Sequence, residues 1–436
     1  MSAQLHAYRA ALLYSLDDPA SVGVAASYRH LEDGLLLVEG GRIRALGPAA
    51  ELLPGLATDV QVRHWPDALI TPGFIDTHIH YPQTGIVGAG GEQLLDWLSR
   101  HTYPTELRFA DRDYAEQVAR FFIGELLRNG TTSALVFPTV HPESVDAFFS
   151  VAAELDLRML CGKVLMDRNA PPALCDTPAS GYEQSQALIE RWHGKGRLGY
   201  AVTPRFAGSC SDEQLHLAGR LLREHPGVHL HTHLAENRRE VTWVRSLFPE
   251  RSSYLDVYAH HGLVGPRSLF AHAIHLGEQD CRQLAASGAA VAFCPTSNLF
   301  LGSGLFDLGR AERLDLKVGI GSDIGAGTSF SLLQTLNEAY KVEQLQGRSL
   351  DPFKALYLAT LGGARALGLD GRIGSLAPGH EADFVVLDWN ATPLLQFRLQ
   401  QAQSLAERLA VLLTLGDDRV VQETFVAGVS RHRREG

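Results

Sequence analysis

The chain has 436 residues, 45% hydrophobic and 20% charged, the balance of a water-soluble globular protein with enough apolar material for a large core. Lys and Arg number 39 against 49 Asp and Glu, and the resulting charge of −10 argues against non-specific binding to nucleic acid or to acidic membranes. Five scattered cysteines (Cys161, Cys175, Cys210, Cys281, Cys294) with no C-x-x-C speak against a disulfide framework or a cysteine zinc site, and fit a reducing cytoplasm. The first residues, MSAQLHAYRAALLYSLDDPA, meet acidic side chains before a long apolar core develops, so they read as neither signal peptide nor membrane span. From residue 6 to 70 the runs are short and β-like (AYRAALLYSL, GLLLVEGGRIRALG, VQVRHWPDALI), with Gly40-Gly41 as a hairpin signal. The same texture returns in EADFVVLDWNA and VVQETFVAGVSRHR near the C-terminus. Both ends together predict a small β-sandwich domain from residues 1–68 and 373–436.

The middle, residues 69–372, alternates instead. Strand-like runs occur at 69–80, 131–138, 158–167, 198–206, 228–236, 268–276, 289–297 and 316–325. Between them lie segments of helical period such as AEQVARFFIGELLRNG and SDEQLHLAGRLLREH. Eight strands alternating with helices define an α/β fold, a (β/α)8 TIM-type barrel.

Polar residues fall late in these strands. The first ends in THIH, with His78 and His80 on one face because strand residues i and i+2 point the same way. The fourth ends in Arg205, the fifth in His233 with Glu236 just beyond, the sixth at His272 and the eighth at Asp323. In a barrel the C-terminal strand ends share one face, so these residues would meet in one cup. Imidazoles and a carboxylate suit Zn2+, which lowers the pKa of water and makes a nucleophile at neutral pH. The cluster therefore reads as a hydrolytic metal site. Each member has a bland alternative: a strand-end histidine is commonly structural, and Asp323 could cap a helix. On strand five, His229, His231 and His233 alternate, and His233 is favoured as nearest the C-terminal end. His275 raises the same doubt beside His272, and Asp76 shares the face of the histidines one layer deeper.

PGFIDTHIH, the later histidines, GSD at 321–323 and the late PGHEADFVVLD together resemble the amidohydrolase superfamily over nearly the whole chain. Within it, THIHYPQ, LLDWLSRHTYPTE, GKVLMD, TPRF with SCSD, HTHLAEN and GSDIGAG are similar to the branch that deaminates guanine. The resemblance implies one zinc per chain held by His78, His80, His233 and Asp323. It implies that His272 orients the attacking water or itself ligates the zinc, that Glu236 shuttles protons to the purine, and that Asp323 accepts the water proton. Gln83, Arg205 and Phe206 would line the base pocket, and Trp97 would close it under a covering segment, 81–106. The implied activity is hydrolysis of guanine to xanthine and ammonia by a cytoplasmic homodimer with no nucleic-acid or membrane partner.

Three alternatives stay open at this point. A two-metal site would need a bridging lysine, for which Lys163 on strand three is available. The substrate could be 8-oxoguanine, S-adenosylhomocysteine or another aminated heterocycle. The barrel could also bind zinc without catalysis, although Glu236 would then have no purpose. A cytidine-deaminase type of zinc site requires P-C-x-x-C, and CPTS at 294–297 lacks the second cysteine.

Overall fold

Eight parallel strands form the centre of the molecule in a computed structural model that describes residues 4–435. They are β1 (Phe74–His80), β2 (Thr131–Phe137), β3 (Arg158–Cys161), β4 (Gly199–Pro204), β5 (His229–Leu234), β6 (Ser268–His272), β7 (Ala290–Phe293) and β8 (Lys317–Ile320). Each is hydrogen-bonded to the next in chain order. The ring closes between β8 and β1, where Thr77 Oγ1 donates to the Ile320 carbonyl at 2.8 Å. Just past the strand ends, Asp323 N donates to the His78 carbonyl (2.9 Å) and His80 N to the Ile324 carbonyl (3.0 Å). β1 is buried at every residue, as a strand walled by the barrel interior on one face and helices on the other must be.

The helices follow from local sequence. In Arg112–Arg128, Ala115, Ala119, Phe122, Ile123, Leu126 and Leu127 recur at helical spacing and form the buried stripe. The side chain of Asp111 caps that helix by accepting from the Asp113 and Tyr114 amides. Ser211 does the same for Asp212–Glu224 by accepting from Gln214 N.

The run 69–80, which reads from sequence as one strand, is two. Residues up to Pro72 belong to the strand Val62–Pro72 of a separate sheet, and the barrel begins at Phe74. Gly73 is the joint: its N–H donates to the Asp383 carbonyl, and a Cβ there would lie 2.2 Å from Thr132 Oγ1. Any side chain would therefore force the two units apart. Strand three is also shorter than the run 158–167; it breaks at Gly162 and resumes as Val164–Leu165 against β4.

The chain ends form one seven-stranded sheet in the order Val429–Arg433, Val421–Val426, Phe384–Asp388, Val62–Pro72, Leu5–Ser15, Tyr28–Glu39, Arg42–Pro48. The Gly40-Gly41 hairpin is present, both glycines at positive φ (59° and 75°) as a tight two-residue turn requires. Tyr8, Phe384 and Phe425 pack on one face, the two phenylalanine rings stacked at 4.3 Å. A buried ion network joins sheet to barrel. Arg158 donates to Glu381 through Nε (2.7 Å) and Nη2 (2.5 Å), and Arg197 bonds both Glu381 and Asp383. Glu381→Ala would leave two buried guanidinium groups short of a partner, and we expect it to cost about 3–5 kcal/mol. Chemical denaturation would measure this, and an unchanged midpoint would show that the network adds nothing to cohesion. Among the described residues, no helix is long and apolar enough to cross a membrane.

Candidate active site

Side chains from β1, β5, β6 and the turn after β8 converge above the C-terminal mouth of the barrel. His80 Nε2 lies 3.3 Å from His78 Nε2 and 3.2 Å from His233 Nε2. Asp323 Oδ1 lies 3.2 Å from His78 Nε2 and 3.4 Å from His80 Nε2. Ligands placed tetrahedrally about 2.0–2.1 Å from a zinc ion stand about 3.3 Å apart, so this spacing is that of a four-donor cage.

The outer ring atoms fix which nitrogens face the cage. His233 Nδ1 donates to the Arg205 carbonyl at 2.7 Å, which leaves Nε2 as a lone pair. With its Nε2 likewise inward, His78 Nδ1 donates to His231 Nε2 at 2.7 Å. Burial, and then the other imidazoles, hold His80 and His233 well below the usual histidine range; burial, with His272, does the same for His78. Neutral nitrogen lone pairs aimed at one another and at a carboxylate repel unless a cation lies between them. The donor set thus fits a divalent metal.

His231 supports His78, and His229 turns away to donate from Nε2 to the Leu367 carbonyl (2.8 Å). His275 also leaves the cluster, bonding the Ser303 carbonyl at 2.8 Å. Asp76 lies below the cage. It accepts from Ser322 Oγ (2.5 Å), Ser322 N (3.1 Å) and His78 N (3.1 Å), which ties β1 to the turn that carries Asp323, and burial pushes its carboxyl up to about 7. Asp323 and His272 both adopt positive φ (53° and 70°), a strained backbone that turns them inward.

Beside the cage, His272 Nδ1 donates to Asn298 Oδ1 at 2.9 Å, so Nε2 faces Glu236 Oε2 (3.4 Å) and Asp323 Oδ2 (3.8 Å). Glu236 is 2% exposed and accepts from Ser303 Oγ at 3.1 Å. Burial first, and the nearby Asp323 second, push its carboxyl up to about 8. Glu240 underpins it by accepting from Glu236 N (2.9 Å) and Asn237 N (3.0 Å).

A cavity opens onto this group. Its wall includes Gln83, Trp97, Arg205, Phe206, Glu236 and His272, so every residue expected in the pocket borders it. Gln83 Oε1 accepts from Gly325 N at 3.3 Å, and its amide nitrogen lies 3.1 Å from His80 Nδ1. Trp97 is held by Nε1 donating to the Ala89 carbonyl at 2.6 Å, within a helical segment that roofs the cavity. Phe206 lies tilted against Trp243, ring centres 5.8 Å apart.

Lys163 is fully buried just past β3, where Nζ pairs with Asp176 and bonds the Val164 carbonyl. Its ammonium is thus committed to these partners. Lys163→Ala is expected to leave the metal content unchanged and to destabilise the fold by about 3–5 kcal/mol, because Asp176 loses its buried partner. Metal analysis beside thermal unfolding would check this, and loss of a second ion from the variant would revive a two-metal site. Four supporting residues go unread in the sequence: Glu106, Asn298, Ser303 and Glu240. Glu106, Asn298 and Ser303 act through contacts with distant elements and carry no periodic signal, whereas Glu240 closes a local capping box with Asn237.

A (β/α)8 barrel whose mouth gathers three imidazoles and a carboxylate beside a buried glutamate is the framework of a metal-assisted hydrolase. The chain belongs to the amidohydrolase family, whose sequence profile matches residues 69–430. It is 54% identical over 414 residues to the guanine deaminase of Escherichia coli K12, covering 95% of this chain and 94% of that protein. The solved structure of the E. coli guanine deaminase superposes with a TM-score of 0.97 over 99% of this chain and all of the other. A guanine deaminase from C. acetobutylicum, solved with guanine in its active site, is 27% identical with a TM-score of 0.88, covering 98% of this chain and 100% of that one. An adenosine deaminase from Xanthomonas campestris with bound zinc is 25% identical with a TM-score of 0.85, covering 98% and 92% of the two chains.

Proposed function

We propose that the protein hydrolyses guanine to xanthine and ammonia with one zinc ion per chain. The observation that carries this reading is the meeting, around one cavity, of the four-donor cage, a buried Glu236 and the polar pair Gln83 and Arg205. Full-length similarity to guanine deaminases supports the choice of base.

His78, His80, His233 and Asp323 would hold the zinc, which would supply a hydroxide nucleophile from water at neutral pH. His272 orients the water through Nε2, and Asp323 takes the proton that the water releases. Glu236 donates its proton to the ring nitrogen next to C2 as the new C–O bond forms there. The proton on Asp323 then passes to the amino group, the C2–N bond breaks and ammonia leaves, while the C2 hydroxyl returns its proton to Glu236 and becomes the carbonyl. Arg205 donates to the purine carbonyl, Gln83 donates to and accepts from the ring edge, and Phe206 lies against the flat face of the base. Trp97 closes the pocket.

The test is a comparison of kcat/KM across guanine, 8-oxoguanine, S-adenosylhomocysteine and adenine. Guanine is expected to lead by at least about 10²-fold, the order that hydrogen-bonded recognition of a polar group supports. Faster turnover of another base would replace guanine as the substrate, and bound zinc with turnover of none would make the barrel a binding protein. The same reading takes the protein as a cytoplasmic homodimer, supported by five unpaired cysteines and by the exposed apolar residues Leu345, Leu394 and Phe397. Light scattering at twice the 47.5 kDa chain mass would bear out the dimer, and a single-chain mass would refute it.

A further inference from the structure

Arg205 reaches the cavity wall beside a buried carboxylate that does not line the cavity. Glu106 is fully buried at the end of the helical segment Tyr103–Glu106, in the stretch that roofs the site, and Arg205 is 2% exposed just past β4. A single guanidinium nitrogen, Arg205 Nη1, donates to both carboxylate oxygens, Oε1 at 3.0 Å and Oε2 at 2.8 Å. Among the described residues no protein acceptor is bonded to Nε or Nη2, so the remaining N–H groups stay available to the cavity. The Tyr103 ring stands 5.6 Å from the guanidinium carbon and limits its rotation. Gln83, the other polar group for the base edge, approaches the same carboxylate, with Nε2 3.5 Å from Glu106 Oε1.

Two consequences follow. One carboxylate supplied by the roof holds Arg205 and approaches Gln83, which Gly325 N and His80 also hold. The pocket also presents Arg205 as half of a neutral pair, not as a free cation. A guanidinium alone in a buried site favours anions strongly; one neutralised by a carboxylate donates to a carbonyl without that bias. The distinction bears on turnover, because hydrolysis at C2 exchanges an amino group for a carbonyl. The product carries an acidic imide-type N–H and ionises nearer neutral pH than guanine does.

We propose that Glu106 is a positioning residue that aims Arg205 and Gln83 at the neutral base and, by cancelling the charge on Arg205, keeps the pocket from retaining the anionic product. This rests on the guanine-hydrolysing reading. Turnover of guanine by the unaltered zinc-loaded enzyme tests that reading, and the ratio of the xanthine Ki to the guanine KM tests the role of Glu106 separately.

The experiment is steady-state kinetics with guanine in the presence of xanthine as a competing ligand, on either side of the pH at which xanthine ionises. For Glu106→Gln the ratio of Ki to KM should fall at least about tenfold, more steeply at the higher pH, because Arg205 is then a bare cation. Glu106→Asp keeps the charge and should hold the ratio within about threefold of the unaltered enzyme. The double variant Glu106→Gln, Arg205→Gln removes both charges and should restore the ratio even where KM is high. It also serves if the single Gln variant fails to fold. Parallel movement of Ki and KM in Glu106→Gln, a pH-independent ratio, or a low ratio persisting in the double variant would each overturn the proposal.

Discussion

Glu236→Gln should lower kcat for guanine by about 10³-fold or more while the zinc content stays unchanged, the order lost when a positioned proton donor is removed. The carboxyl is buried, accepts from Ser303 Oγ and faces His272 Nε2. An amide of the same shape can keep the bond from Ser303, so the fold and the metal cage should be undisturbed. What it lacks is a transferable proton. Burial and Asp323 raise the native carboxyl to about 8, and the amide cannot substitute for it. Metal analysis beside stopped-time assays checks both halves. Zinc loss from the variant would place Glu236 among the metal-holding residues and contradict its role as a proton donor outside the cage.

His80→Ala should abolish measurable turnover and reduce bound zinc well below one per chain. His80 Nε2 lies within 3.2–3.4 Å of His78, His233 and Asp323, so its removal opens the cage on one side. The effect should also be visible without any activity measurement. Zinc at about a thousand times its dissociation constant adds about 4 kcal/mol to a protein that binds it only when folded. A chelator should therefore lower the unfolding temperature of the unaltered protein and leave that of the variant nearly where it was. A chelator effect of equal size in both would mean that His80 does not hold the metal.

The architecture and the metal cage are readable because both are written in local periodicity. Alternating runs mark β1 to β8, and a residue's position at the end of its strand places it at the mouth whatever its distance along the chain. His78 and His80 converge for the same reason, since two residues on one strand face cannot point apart. The paired β-rich ends announce the terminal sheet, and Gly40-Gly41 announces its hairpin. The joint at Gly73 is hidden because an apolar run looks the same whether it crosses between sheets or continues in one. Glu106 escapes for a different reason. Its meaning lies in a contact with Arg205, 99 positions away, made by a roof segment whose conformation no repeat specifies. Ser303 and Asn298 belong to the same kind. His231, which reads as structural because it lies deep in β5, meets His78 Nδ1 through Nε2, a contact that turns His78 Nε2 toward the other donors.

Zinc titration of metal-free protein, with guanine turnover read at each step, tests the single-zinc mechanism most directly. Xanthine and ammonia should appear in equal amounts, and the rate should rise linearly to a plateau at one zinc per chain. Turnover indifferent to metal, or a rate that keeps rising to two ions per chain, would contradict a single-zinc guanine hydrolase.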